Sequence, residues 1–248
     1  MTKIFIDGEA GTTGLQILER LKVRKDLDLL HLDEEQRKDT NARAKMLNTA
    51  DISILCLPEQ ASREAVALID NVNSRVIDAS IAYRTNSNWV YGFPEYNREQ
   101  KDMISRANRV TNPGCYACSS ISILYPLVIA GILPTDFPVT INAVSGYSGG
   151  GKGLISAFED KSSAEYTDSP FYLYGLQLAH KHTLEIQTWS GLDFAPLFVP
   201  SVGRFSQGML VSVPIQLHCL NNSIEPQDIH AVLSDHYAEQ TFVNVLPI

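Results

Sequence analysis

The chain reads as an α/β protein whose first part is an open, doubly wound parallel sheet and whose second part is built differently. Up to about residue 110, short β-rich apolar runs alternate with stretches of helical periodicity, which is the pattern of βαβ units. A glycine-rich turn separates the first run from the first helical stretch. Beyond it, loops, one long apolar segment and separated strands replace the alternation.

Residues 3–7 predict a strand, and Leu15, Leu18 and Leu21 recur behind it at helical spacing. Further strands are expected over 29–32, 52–57 and 75–79, with a helix over 60–69 between the last two. Residues 80–96 read as a loop-rich passage leading to Asn112-Pro113-Gly114-Cys115. An apolar helix is expected from Cys118 onward, then a strand over 138–145, a glycine cluster over 146–153, and strands of a second sheet over 197–199 and 209–214. No internal repeat or low-complexity tract interrupts the series.

A length of 248 residues suits one large domain or two modest ones, and 44% hydrophobic with 19% charged residues is globular composition. Twenty basic against 28 acidic residues leave a net charge of -8 with no basic run, which argues against nucleic acid and against anionic membranes. A small-molecule partner is expected instead. Asp7 and Glu9 fall where an export signal needs apolar residues, and the most apolar segment, 121–133, is broken by Pro126 and Gly131. That segment is shorter than the ~20 residues a membrane span requires. Four cysteines are too few for a disulfide scaffold, so a cytoplasmic protein with free thiols is expected.

Gly8-Glu9-Ala10-Gly11-Thr12-Thr13-Gly14 places three glycines between a strand and a helix, where the backbone can approach a pyrophosphate and the helix N-terminus supplies donors. The hydroxyls of Thr12 and Thr13 fall in the first helical turn. Asp33 stands where an acid would hold the ribose of NAD, whereas Arg37 and Lys38 suit the 2'-phosphate of NADP, and the residues alone leave the two cofactors open. The run from Gly146 to Lys152 nearly spells a phosphate loop, but Gly153 has no hydroxyl for a metal ion. It reads as a flexible substrate loop whose Lys152 can meet an anion.

Cys115 follows a Pro-Gly turn at the head of the apolar helix, where the helix dipole favours thiolate and hence a nucleophile. Cys118 completes a C-x-x-C pair but finds no second pair for zinc, and reads as a packing residue. His180-Lys181-His182, followed by Glu185, supplies the clustered imidazoles for acid-base work on an acyl group, with no third ligand for a metal.

Taken together these motifs resemble the N-acetyl-gamma-glutamyl-phosphate reductases, in particular their shorter (type 2) branch. The resemblance is carried by residues 5–14, Ile54-Leu55-Cys56-Leu57-Pro58, Asp78-Ala79-Ser80 with Ala82-Tyr83-Arg84, Tyr91-Gly92-Phe93-Pro94-Glu95, Asn112-Pro113-Gly114-Cys115-Tyr116, residues 143–151 and His180-Lys181-His182. It implies an N-terminal Rossmann-type NADP-binding domain, 1–114, and an α+β catalytic domain, 115–248, of the semialdehyde and glyceraldehyde-phosphate dehydrogenase type. It also implies NADP over NAD and reduction of an acyl phosphate through a cysteine thioester, a step of arginine biosynthesis, in a homo-oligomer.

By the same resemblance, Gly8, Ala10, Gly11, Thr12, Thr13, Gly14, Arg37, Lys38, Leu57, Pro58 and Ser80 form the cofactor site. Cys115 acts with His180 and His182, and Arg84, Asn112, Ser145, Lys152 and Arg204 meet the substrate, with no metal. Two departures stand out: Ala117-Cys118 replaces a usual Pro-Thr, and family members run on past the point where this chain ends. The alternatives are an aspartate-semialdehyde dehydrogenase-like enzyme and a catalytically inactive dinucleotide-binding redox module.

Overall fold

The computed structural model describes residues 1–220 and 223–248. The chain forms two compact units, one of Met1–Pro94 with Arg98–Pro113, the other of Glu95–Asn97 with Gly114–Ile248.

The first unit is built on a six-stranded sheet in the order β2-β1-β3-β4-β6-β5, every pair parallel. Its strands are β1 (Thr2–Asp7), β2 (Leu27–Leu30), β3 (Ile52–Leu55), β4 (Arg75–Asp78), β5 (Val90–Tyr91) and β6 (Arg109–Thr111). The helices are α1 (Thr12–Leu21), α2 (Thr40–Thr49), α3 (Glu59–Ala67) and α4 (Gln100–Arg106). Phe5, Leu47, Leu55, Val76 and Trp89 fill its core. Because β2 and β3 flank β1 on opposite sides, the strand order reverses at the ends of β1 and β3, where a crevice opens for a ligand.

Two elements depart from expectation. The second strand begins two residues early, at Leu27. The helix α2 has no apolar stripe for periodicity to find, since Leu47 is its one buried residue; what starts it is Asp39, whose carboxylate accepts the N–H groups of Asn41 and Ala42 at 2.7 and 3.0 Å.

In the second unit, β7 (Thr140–Gly146), β8 (Phe171–Leu173), β9 (Leu197–Gly203) and β10 (Met209–Ser212) form a mixed sheet in the order β10-β7-β9-β8. The central pair is parallel and the outer pairs antiparallel. Four helices accompany it: α5 (Cys115–Ile129), α6 (Gly151–Glu159), α7 (His182–Ser190) and α8 (Pro226–His236). One sheet face meets α5, with Phe198 against Tyr116 and Met209 against Ser119. On the opposite face Leu173, Leu197 and Leu210 are exposed.

The long helix begins at Cys115, not Cys118, and runs through Pro126 without breaking. Proline has no N–H for the carbonyl four residues back, that of Ser122. That carbonyl is satisfied from elsewhere, by the hydroxyl of Tyr237 at 2.8 Å. The glycine cluster is a second correction: residues 147–150 make a 3-10 turn and Gly151, at φ +75, opens α6, so Lys152 stands in a helical first turn and not in a loose loop.

Candidate active site

The crevice of the first unit is shaped by glycine. Gly8 turns at φ +90, and a Cβ there would lie 2.4 Å from the Cys56 carbonyl oxygen. A Cβ at Gly14 would lie 2.3 Å from the oxygen of Gly8, so the turn folds back on the first turn of α1 as only glycine allows. Gly11 caps α1 without a side chain, leaving the first-turn amides of Thr12 and Thr13 to a ligand. The cleft, about 380 Å³, is lined by Gly8, Glu9, Ala10, Arg37, Lys38 and Leu57, and by Arg43. Glu9 holds Arg37 at 3.2 Å and His31 at 2.9 Å, while Arg43 pairs with Asp7 at 2.8 Å. Three cations at the edge of a glycine turn fit a phosphorylated dinucleotide. Asp33 is exposed ahead of a 3-10 turn, Pro58 caps α3, and the Ser80 hydroxyl donates to the buried Asp78 at 2.7 Å.

The chemistry of the second unit gathers at the head of α5. Cys115 is its first residue and is exposed. Burial pushes the Cys118 thiol up to about 12, with Glu95 and Glu185 adding to it, and burial with Asp7 and Asp78 pushes Cys56 up to about 11. Neither can supply a thiolate near neutrality. Tyr116 packs its ring 6.2 Å from that of His180 and 6.0 Å from that of His182, and the two imidazoles stand 4.7 Å apart. The Tyr116 hydroxyl donates to the Ser201 carbonyl at 3.0 Å and receives that of Tyr174 at 3.3 Å. Burial pushes Tyr174 up, with the Tyr116 hydroxyl and, to a lesser extent, Cys115 adding to the push.

The two histidines differ. His182 opens α7 and is buried. His180 is half-buried, and its Nδ1 accepts the His182 backbone N–H at 3.2 Å. Burial and the neighbouring Lys181 hold it below the usual imidazole value. The neutral ring therefore carries its proton on Nε2.

Of the expected substrate residues, Arg84 and Arg204 are engaged otherwise. Arg84 is buried and donates to the carbonyls of Asn112 and Ala79, each at 3.0 Å. Arg204 donates to the carbonyls of Ser169, Phe158 and Thr167, with its guanidinium over the Phe158 ring. Both pin loops. Asn112 is tied to Asp78 through its backbone N–H at 2.7 Å, and Ser145 lies near the end of β7 under the glycine turn. Sequence reasoning gave no role to Glu185, Tyr174 or Arg43. The three-residue spacing from His182 to Glu185 was a signal for the first; the other two are placed only by the fold.

The profile of the semialdehyde dehydrogenase NAD binding domain matches residues 3–104, and that of the semialdehyde dehydrogenase dimerisation domain matches 115–248. The chain is 50% identical over 248 residues to N-acetyl-gamma-glutamyl-phosphate reductase 2 of Nostoc sp., covering 99% of this chain and 77% of that one. It is 52% identical to the N-acetyl-gamma-glutamyl-phosphate reductase of Chelativorans sp., over 99% of this chain and 79% of that one. Among solved structures it resembles aspartate semialdehyde dehydrogenase II from Vibrio cholerae, with a TM-score of 0.63 and 16% identity over 94% of this chain and 78% of that one. It also resembles the Candida albicans aspartate semialdehyde dehydrogenase with NADP, at a TM-score of 0.58 and 14% identity over 95% and 76%.

Proposed function

Because the chain belongs to the semialdehyde dehydrogenase family, in its N-acetyl-gamma-glutamyl-phosphate reductase branch, we propose that it reduces N-acetyl-gamma-glutamyl phosphate to N-acetylglutamate 5-semialdehyde in arginine biosynthesis. The observation that carries this reading is an exposed Cys115 at the head of α5, next in the chain to Tyr116, whose ring packs against two imidazoles.

The Cys115 thiolate attacks the acyl carbon, the bond to phosphate breaks, and a thioester forms. NADPH, when bound, supplies the hydride that reduces this thioester. The resulting oxyanion collapses to aldehyde and releases the thiolate, so the single proton the reaction consumes ends on phosphate. No side chain has to protonate the acyl oxygen; it needs hydrogen-bond donors. The first-turn amides of α5 and the Nε2–H of His180 suit that task. Lys152, in the first turn of α6, and Ser145 are the groups for the anionic ends of the substrate. For the dinucleotide, Gly8, Ala10, Gly11, Thr12, Thr13 and Gly14 take the pyrophosphate, and Arg37, Lys38 and Arg43 the 2'-phosphate.

The same reading includes assembly. The exposed leucines of the mixed sheet are the face on which a second copy pairs, in line with the dimerisation profile over 115–248. We place the enzyme in the cytoplasm, where its thiols stay reduced; among the described residues no helix is long and apolar enough to cross a membrane.

The test runs the reaction backwards, measuring phosphate-dependent reduction of NADP by N-acetylglutamate semialdehyde. Cys115→Ser is expected to lower the rate by at least about a thousandfold while NADPH binding is kept. Turnover retained by that variant, or a preference for aspartate semialdehyde, overturns the assignment.

A further inference from the structure

Two helix starts converge on one buried carboxylate. Glu185 lies in the first turn of α7, three residues after His182, and is 2% exposed. Its Oε1 accepts the Gly114 N–H at 2.7 Å, and Gly114 is the residue that caps α5 immediately before Cys115. Burying a carboxylate is costly unless it is hydrogen-bonded and met by opposite charge. The Gly114 amide and the positive ends of α5 and α7 provide both. The same carboxylate adds to the upward push on Cys118, which places its charge against the first turn of α5.

The arrangement explains an unusual cap. A Ser or Asp at position 114 would be the ordinary N-cap, with its side chain accepting an amide two or three residues on. Those amides, of Tyr116 and Ala117, stand beside the nucleophile, where the substrate's carbonyl oxygen would need them. Glycine leaves them unclaimed, and no side chain caps α5. Glu185 instead reaches across from α7 and holds the amide one residue upstream of the nucleophile.

We propose that Glu185 is a positioning residue: it fixes Gly114, so that the Cys115 sulfur and the donors behind it keep one geometry relative to the His182 turn. The proposal rests on the reading of Cys115 as nucleophile, given above.

The experiment compares the wild type with Glu185→Gln, which keeps an acceptor at Oε1 without the charge, and Glu185→Leu, which keeps the bulk without the acceptor. Two readouts are taken: kcat and KM in the reverse reaction, and the rate of Cys115 alkylation by iodoacetamide, followed by peptide mass and needing no substrate. Glu185→Leu is expected to lower kcat by at least about thirtyfold with KM within about threefold, and to slow alkylation of Cys115. Glu185→Gln is expected to recover kcat to within about fivefold of wild type. Wild-type kcat and alkylation in the leucine variant overturn the proposal, as does a glutamine variant no better than leucine. If Glu185→Leu does not fold, Glu185→Asp replaces it, its carboxylate one methylene short of Gly114: a lowered kcat at an unchanged melting temperature supports the proposal and an unchanged kcat overturns it. A Cys115→Ser enzyme that still turns over would remove the reading of the nucleophile while leaving the alkylation result standing, so the two failures are distinct.

Discussion

An imidazole whose Nδ1 accepts a backbone N–H can offer only its other nitrogen, and at His180 that nitrogen carries the proton. Glutamine places a carboxamide N–H where Nε2 stood, whereas asparagine is too short to reach it. His180→Gln is therefore expected to keep about a tenth of wild-type kcat and His180→Asn about a hundredth, measured in the reverse assay. Equal loss in both would point to full proton transfer at this residue. The surroundings of the same ring predict a pH effect on stability. Burial, then Lys181, lower the folded-state value of His180 below its ordinary 6.5, so the unfolded chain binds the proton more readily. Its stabilising contribution is complete above 6.5 and is lost as the pH falls through the lower folded value. Thermal melts of His180→Gln should show a shallower decline on the acid side than wild type.

At the scale of elements, α5 draws on an outside partner. Its Ser122 carbonyl, orphaned by Pro126, depends on Tyr237, which lies just beyond α8. Tyr237→Phe removes a single oxygen and leaves that part-buried carbonyl without its partner, a loss of about 1 kcal/mol that urea denaturation should register. The apolar pattern was enough to anticipate β1, α1, β3, α3 and β4, because the strands are short apolar runs of a covered parallel sheet and the helices repeat their apolar residues at helical spacing. It did not reveal α2, whose one buried side chain gives no stripe and whose signal was the capping Asp39. It also misplaced the start of α5, since Cys115, Tyr116 and Ala117 carry no periodicity of their own, and the Pro-Gly turn was the better guide. In the candidate site, residue type and context singled out Cys115 and the histidine pair, and the fold places Tyr116, the residue after Cys115, against both imidazoles. The loop carbonyls around Arg84 and Arg204 were not legible, because charge in a sequence does not tell what already surrounds it.

For the whole molecule, the exposed face of the mixed sheet is the one proposed above to pair, and substitution tests it. Leu210 is 69% exposed and Leu173 48%, on strands at opposite edges of that sheet. Replacing both by Asp should convert the oligomer to monomers in sedimentation velocity while circular dichroism stays unchanged, because neither side chain contributes to the core. A wild-type protein that already sediments as a monomer would remove the pairing face from the account.

The chain also returns once to the catalytic unit before entering it for good, with Glu95–Asn97 belonging to that unit although their neighbours on both sides do not. Tyr96 is bound there on three sides: its hydroxyl donates to the Trp189 carbonyl at 2.8 Å, its ring stacks on Tyr125 at 3.9 Å, and its carbonyl meets His236 at 3.1 Å. A gene cut at codon 114 would therefore not yield two self-sufficient fragments. The downstream piece would present an empty aromatic socket and the upstream piece a stray tyrosine. During synthesis that socket cannot close until position 236 has left the ribosome, 140 residues after the side chain it receives. The unit that carries Cys115 and both histidines is thus one whose folding must wait until residue 236 has been made.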